Sequence, residues 1–335
     1  MKAAVVLPFL APAALAGKSR SKLIKPKRLA GGDTVGVVAP SSGLSKEDFD
    51  KAIGNLESMG FRTKIGKSAR ARNGFLAGTD KERLDDLHTA FADKEVKAIW
   101  CLRGGYGAGR ILPQIDFKLI AANPKILIGY SDITALHLAI SQNTGLVTFH
   151  GPVATSAPVD YTKNNALNVL MNPAATYRIE LSEYNRTQTS NLFKTEVITG
   201  GKARGRLTGG NLSLVSALAG TPYGLRDTKG KLLFLEDIGE QPYRIDRMLT
   251  QLRQSIDMKQ LSGIALGVFE DCNPKAPDTQ SLIDVLRDRL GDLGIPVIYG
   301  LSFGHIREQF TLPMGIEAEM DTATATVTFL EAAVS

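Results

Sequence analysis

The residues able to do chemistry in this 335-residue chain gather around one serine. Residues 126–128, Ile-Leu-Ile, form an apolar run suited to a buried parallel strand. The run breaks at Gly129, and helical spacing restarts at Ile133, Leu136 and Ala139. Ser131 stands at the break. A serine on a tight strand-to-helix turn carries its hydroxyl above the sheet, and the amides after it point the same way, which is the geometry of a nucleophile elbow. The plain alternative is a helix N-cap, a position serine fills well. Position 133 is Ile where the G-x-S-x-G elbow has glycine, so this turn opens differently.

A nucleophilic serine needs a base, and the chain has four histidines. His88 lies beside the apolar stripe of a helix and reads as a packing or surface residue. His137 is six residues past Ser131 on the same helix, about 240° around and roughly 9 Å along, so it faces away. His150 ends an apolar strand ahead of Gly151-Pro152. His305 follows a strand and a glycine, where an imidazole is easily presented. Elimination ranks His305 first as base and His150 second. An orienting carboxylate is also needed. The run 231–237 is apolar until it ends in Glu236 and Asp237, and strand alternation lets only one of these face a cleft. Paired acids also suit a divalent metal, but no third ligand has fitting spacing, so no metal and no cofactor is expected.

The loop 103–110, Arg-Gly-Gly-Tyr-Gly-Ala-Gly-Arg, misses the dinucleotide pattern G-x-G-x-x-G by one residue and lacks its downstream acid. As an oxyanion donor it fits better, because glycine amides at a strand end can point at a carbonyl oxygen held over Ser131. Cys101 sits inside a strand run, which argues against a cysteine nucleophile, and Cys272 also reads as a buried thiol. The two make neither a disulfide framework nor a zinc site.

The elements that must position these groups follow from the apolar pattern. Strands at 34–40, 96–102, 126–129 and 146–150 alternate with helices after Ser45 and Thr79 and through 133–140. That rhythm predicts a parallel sheet covered by helices, with ligands beyond the carboxyl ends of its strands. Residues 158–199 are polar and poorly periodic and read as a connection. Beyond them, a helix from Gly209-Gly210-Asn211 through Ala219, strands at 231–237, 264–270 and 296–301, helices at 243–255 and 281–290, and an antiparallel hairpin over 316–330 predict a second, mixed α+β domain. The expected division is therefore an N-terminal segment 1–32, an α/β domain 33–157 with the serine, the connection 158–199, and an α+β domain 200–335.

The net charge of +6 is not a nucleic-acid signal. Lys2, Lys18, Arg20, Lys22, Lys25, Lys27 and Arg28 precede the first acid, Asp33, and without those seven the net charge is −1. No basic stripe with aromatics occurs elsewhere. Met1-Lys2, an apolar stretch over 3–16 and its Ala-Leu-Ala end resemble a secretory signal, though Pro8 and Pro12 interrupt it; a disordered extension is the alternative. It is too short to span a bilayer, and no later run is longer.

Six stretches in order, Arg103-Gly104-Gly105-Tyr106-Gly107, Gly129-Tyr130-Ser131-Asp132-Ile133-Thr134, His150-Gly151-Pro152, Gly209-Gly210-Asn211-Leu212, Leu235-Glu236-Asp237-Ile238-Gly239-Glu240 and Gly304-His305, resemble the successive signatures of the LD-carboxypeptidases. These are serine peptidases of murein turnover whose relatives include microcin-immunity peptidases. The resemblance implies a triad of Ser131, Glu236 and His305 placed between two domains, a murein peptide substrate, no metal, and a homodimer. It also implies a cytoplasmic location, or a periplasmic one if the first 16 residues act as a signal. In the resulting scheme the amides of Gly105 and Asp132 bind the oxyanion, and the Asp132 side chain caps its own helix. Arg103, Arg110 and Arg244 are available for substrate carboxylates. The expected activity is release of D-alanine from the murein tetrapeptide. The rivals are a related peptidase acting on another peptide or a peptide–nucleotide conjugate, and a non-catalytic two-lobed binding protein.

Overall fold

The computed structural model describes residues 23–174, 176–276 and 279–335. The signal-like first 16 residues lie outside the described residues. Among those described, no helix is long and apolar enough to cross a membrane.

The first sheet holds β1 (Thr34–Val38), β2 (Arg62–Ile65), β3 (Val96–Cys101), β4 (Ile126–Gly129) and β5 (Phe149–His150), in the order β5-β4-β3-β1-β2 and all parallel. β3 and β4 are apolar runs buried almost throughout, as strands covered on both faces must be. Helices α1 (Lys46–Ser58) and α2 (Asp80–Ala92) start where their caps dictate. Ser45 accepts the Asp48 amide, and Thr79 and Glu82 form a reciprocal capping box. Short α3 (Ala108–Ile111) and α4 (Phe117–Ala122) precede β4, and α5 (Thr134–Thr144) follows it. α5 ends at Gly145, whose φ of 78° is the left-handed C-cap.

Residues 158–199 do not form a bare connection. They hold α6 (Asp160–Met171), β6 (Tyr177–Ile179), α7 (Glu183–Arg186) and β7 (Glu196–Thr199). β6 and β7 are the two edges of the second sheet, and their short half-polar sequences are what an edge strand requires. The glycines and asparagine at 209–211 introduce a helix as expected: they end β8 (Lys202–Asn211), and Asn211 caps α8 (Leu212–Ala217), a helix shorter than the expected run through Ala219, by accepting the Leu214 amide. The centre of this sheet is parallel: β8, β9 (Lys231–Glu236), β10 (Gly263–Val268) and β11 (Val297–Gly304). α9 (Pro242–Ser255) and α10 (Leu282–Leu290) connect those strands.

After β11 the chain returns to the first sheet. β12 (Leu312–Pro313) pairs antiparallel with β5, opposing Leu312 to His150. β13 (Glu317–Asp321) and β14 (Thr326–Phe329) then form the antiparallel hairpin, which extends the second sheet from β8 to β6. The molecule is thus an α/β protein with a parallel-strand sheet and a second, mixed sheet, and the buried apolar residues of both form one cluster.

Candidate active site

The carboxyl ends of β1, β3 and β4 supply one side of the site. β4 ends at Gly129, and a 3-10 turn, Ser131–Ile133, leads into α5. Ser131 has φ 64°, a left-handed conformation costly for a residue with a Cβ. It caps no helix: the cap positions fall on Tyr130 and Ile133, without side-chain bonds. The glycine loop after β3 lies directly against it. A Cβ on Gly104 would meet Ser131 Cβ at 2.7 Å, Ser131 Oγ at 3.0 Å and the Asp132 amide nitrogen at 3.2 Å, so only glycine lets the two turns touch.

The Asp132 carboxylate does not cap its own helix. Its Oδ2 accepts the Ser41 hydroxyl at 2.6 Å and the Ala108 amide at 2.8 Å, and so ties the loop after β1 and the start of α3 to the elbow. Burial pushes this carboxyl up, while those two donors and the Arg83 charge act against it. Fully buried Arg83 braces the same loop, donating to the carbonyls of Pro40 and Gly107.

The carboxyl ends of β9 and β11 supply the other side. Glu236 is completely buried, and its Oε2 accepts the Nδ1–H of His305 at 2.7 Å. With Nδ1 as donor, Nε2 keeps the lone pair of the neutral ring. Burial raises the Glu236 carboxyl, but the adjoining imidazoles, His305 foremost, outweigh it and hold the group below its ordinary value. The counterpart holds for His305: burial lowers it, and the Glu236 charge, with smaller help from Asp237 and Glu270, leaves it raised. Gly304, at φ 119°, lets the chain pass Glu236, because a Cβ there would sit 2.8 Å from the Val268 carbonyl oxygen and 3.2 Å from Glu236 Oε2.

Strand alternation sends Asp237 the other way. It collects the Asn211 side-chain Nδ2–H, the Ser213 backbone amide and hydroxyl and the Ile238 backbone amide, anchoring the start of α8. Burial and the Glu236 charge push it up to about 6.

The two sides meet at Tyr130 and Thr134. The His305 ring packs edge-on against the Tyr130 ring, 4.7 Å between centroids, one residue from Ser131. Thr134 Oγ1 accepts the Asn211 amide at 2.9 Å, linking the first turn of α5 to the residue that also holds Asp237. Among the described residues Ser131 Oγ forms no hydrogen bond, and in substrate-free enzymes such bonds often tighten only in the complex.

The other candidates separate clearly. His150 is fully buried behind Glu236, with Nε2 3.8 Å from Oε1. Burial pushes it down to about 4. His137, also buried, donates Nε2–H to the Gly129 carbonyl at 2.8 Å and supports β4 from below. His88 accepts the Asp116 amide, joining α2 to α4. Arg110 is committed to Asp80 through two nitrogens, and Arg244 is 3.4 Å from Glu240. Arg103 makes no ion pair among the described residues. Its charge reaches Tyr130, whose hydroxyl is pushed up first by burial and then by Glu236, with Arg103 opposing. Cys101 is wholly buried, and burial pushes its thiol far up. Among the described residues no group of three or more His, Cys, Asp or Glu is placed to hold a metal ion.

Ser41 carries no signal in the sequence beyond its place just after β1, and Gly104 is marked there only as part of the glycine loop, not as the residue packed on Ser131.

Residues 35–151 match the family model of the LD-carboxypeptidase N-terminal domain, and residues 204–320 that of the C-terminal domain. The chain is similar to the probable murein peptide carboxypeptidase of Bacillus subtilis (strain 168), 46% identical with 93% of this chain and 95% of that protein covered. The murein tetrapeptide carboxypeptidase of Pseudomonas aeruginosa PAO1 is 36% identical, covering 86% of this chain and 92% of its own length. Among solved structures, MccF in complex with glutamyl sulfamoyl guanosine superposes with a TM-score of 0.85 at 27% identity, covering 93% of this chain and 99% of that one.

Proposed function

The chain belongs to the LD-carboxypeptidase family and is a serine carboxypeptidase, and from that premise we propose that it releases terminal D-alanine from the murein tetrapeptide by acyl transfer to Ser131. His305 Nε2 takes the serine proton as Oγ attacks the L,D-amide carbonyl. Glu236 holds the ring in the needed tautomer and stabilises its charged form. The amides of Gly105 and Asp132 receive the oxyanion. His305 then hands the proton to the departing amine, and water, deprotonated by the same ring, hydrolyses the ester. Arg103, beside the glycine loop and free of any ion pair among the described residues, takes the carboxylate of the leaving D-amino acid. Two copies of the chain form the working enzyme.

The observation that supports this reading most is the 2.7 Å bond between buried Glu236 and His305, with that ring packed on the residue next to a strained serine. The test is Ser131→Ala, which is expected to abolish D-alanine release from the tetrapeptide while the melting temperature stays put. Full turnover by that variant overturns the scheme. A second reading, hydrolysis of a peptide–nucleotide conjugate, is favoured by the likeness to MccF. Offering both substrates to the enzyme and identifying products by mass decides between them.

A further inference from the structure

His150 has no place in the acyl-transfer scheme, yet it occupies a costly position. Its ring is completely buried, and neither nitrogen has a hydrogen-bond partner among the described residues. One carboxylate oxygen nearby is in the same condition: Glu236 Oε1 is buried and forms no hydrogen bond among the described residues, since the Asn211 side-chain amide near this carboxylate is spent on Asp237 Oδ1 at 3.1 Å, while Oε2 takes the His305 proton. A buried polar atom left unpaired is heavily penalised, and an anionic oxygen most of all. The unpaired nitrogen and the unpaired oxygen face each other across 3.8 Å. Each is what the other lacks, and roughly an ångström of movement brings them into bonding distance.

The backbone fixes which way His150 can act. It lies between Gly129 of β4 and Leu312 of β12, paired to both. Phe234 packs edge-on against its ring at 5.3 Å, Tyr130 lies 6.1 Å away and His137 6.4 Å. With no exposure, the ring cannot serve the substrate. The charged and titratable groups around it are Glu236, His305, His137 and Tyr130; Glu236 Oε1 and His137 Nδ1 are both acceptors without a donor, and Glu236 Oε1 is the one that stands 3.8 Å from His150 Nε2 and carries negative charge.

We infer that His150 is a positioning residue for the reaction: neutral, it donates its Nε2–H to Glu236 Oε1, so that the carboxylate is gripped between two imidazoles. This rests on the reading of Glu236 as the partner of the catalytic imidazole. With both oxygens engaged, the carboxylate plane cannot turn, and the His305 ring it holds stays aimed at Ser131. The second donor also takes part of the negative charge, which keeps Glu236 from drawing the proton off His305.

The test is a pair of substitutions and a double-mutant cycle, measured on the tetrapeptide. His150→Gln places an amide N–H where Nε2 stands, and His150→Asn places one where Nδ1 stands. One hydrogen bond to a charged group is worth about 10–100-fold in rate. The Gln variant is expected to keep kcat within a few-fold of the parent, and the Asn variant to lose about 10–100-fold with KM unchanged. In the Asn variant the acid limb of the kcat/KM profile moves to higher pH, because Glu236 then acts on His305 alone. In a Glu236→Gln background the His150→Asn loss vanishes. Equal losses for Gln and Asn, an unmoved limb, or a full further loss in the Glu236→Gln background each overturns the proposal. Failure of the underlying reading shows differently: Glu236→Gln by itself then leaves kcat intact.

Discussion

The two sides of the site are held by different physics. The serine side is built from backbone: a strained φ at Ser131, a glycine pressed against its Oγ, and one carboxylate, Asp132, that gathers donors from two neighbouring loops. The histidine side is built from charge, with ionisable groups in a buried setting shifting one another. One side is a matter of shape. The other is a matter of protonation. A serine hydrolase needs both, because the nucleophile must be aimed before a base of the right strength is of use.

Substitutions that act on only one side sharpen the contrast. Beyond loss of the serine itself, the largest effect belongs to Glu236→Gln. It removes the charge that raises His305, and loss of the equivalent carboxylate in a serine triad costs about 10⁴ in kcat. The sign of the accompanying pH change is fixed. In the proposed scheme His305 works as a base only when neutral, and Glu236 favours its charged form, so the parent is expected to gain activity along a limb above the ordinary imidazole value of about 6.5. Without the carboxylate that limb shifts to lower pH. A kcat/KM profile whose limb stays in place breaks the assignment of charge control to this side.

Gly104→Ala probes the other side. The new Cβ at 2.7 Å from Ser131 Cβ forces the two turns apart, and misplacement on the order of 1 Å costs about 10² in rate. The acid limb is expected to stay where it is. A shifted limb in this variant means that the two sides are not separable.

Asp132→Ala has the smallest effect on chemistry and shows itself in stability. It leaves the Ser41 hydroxyl and the Ala108 amide unpaired in a buried place, a loss of about 1–3 kcal/mol by denaturant unfolding. Unchanged unfolding shows that the carboxylate does not hold these loops together.

Sequence reached unevenly into this arrangement. The elbow was legible because an apolar run, a glycine and a helical stripe adjoin one another within residues 126–139. His305 was legible because so few histidines compete. Alternation could say that Glu236 and Asp237 part ways, but not which faces His305, since the sense of the alternation is set by neighbouring strands. His150 looked like a spare base because burial behind a carboxylate has no local signature. The Asp132 side chain was assigned to its own helix, whereas its partners lie 91 and 24 residues away. Edge strands β6 and β7 hid in a polar stretch, since three or four half-exposed residues carry no apolar period.

β12 sets the order in which the enzyme can come into being. Eight residues after the end of β11 the chain crosses back to lay Leu312 beside His150, closing a loop of more than 160 positions around the site. A nascent chain halted shortly before that crossing holds Ser131 without the strand that completes its sheet, while Glu236 stands at the end of β9 in the other sheet. Pairings this distant in sequence form late and slowly. In the proposed scheme the sheet that carries Ser131 is therefore closed only after His305, the base, has already been made.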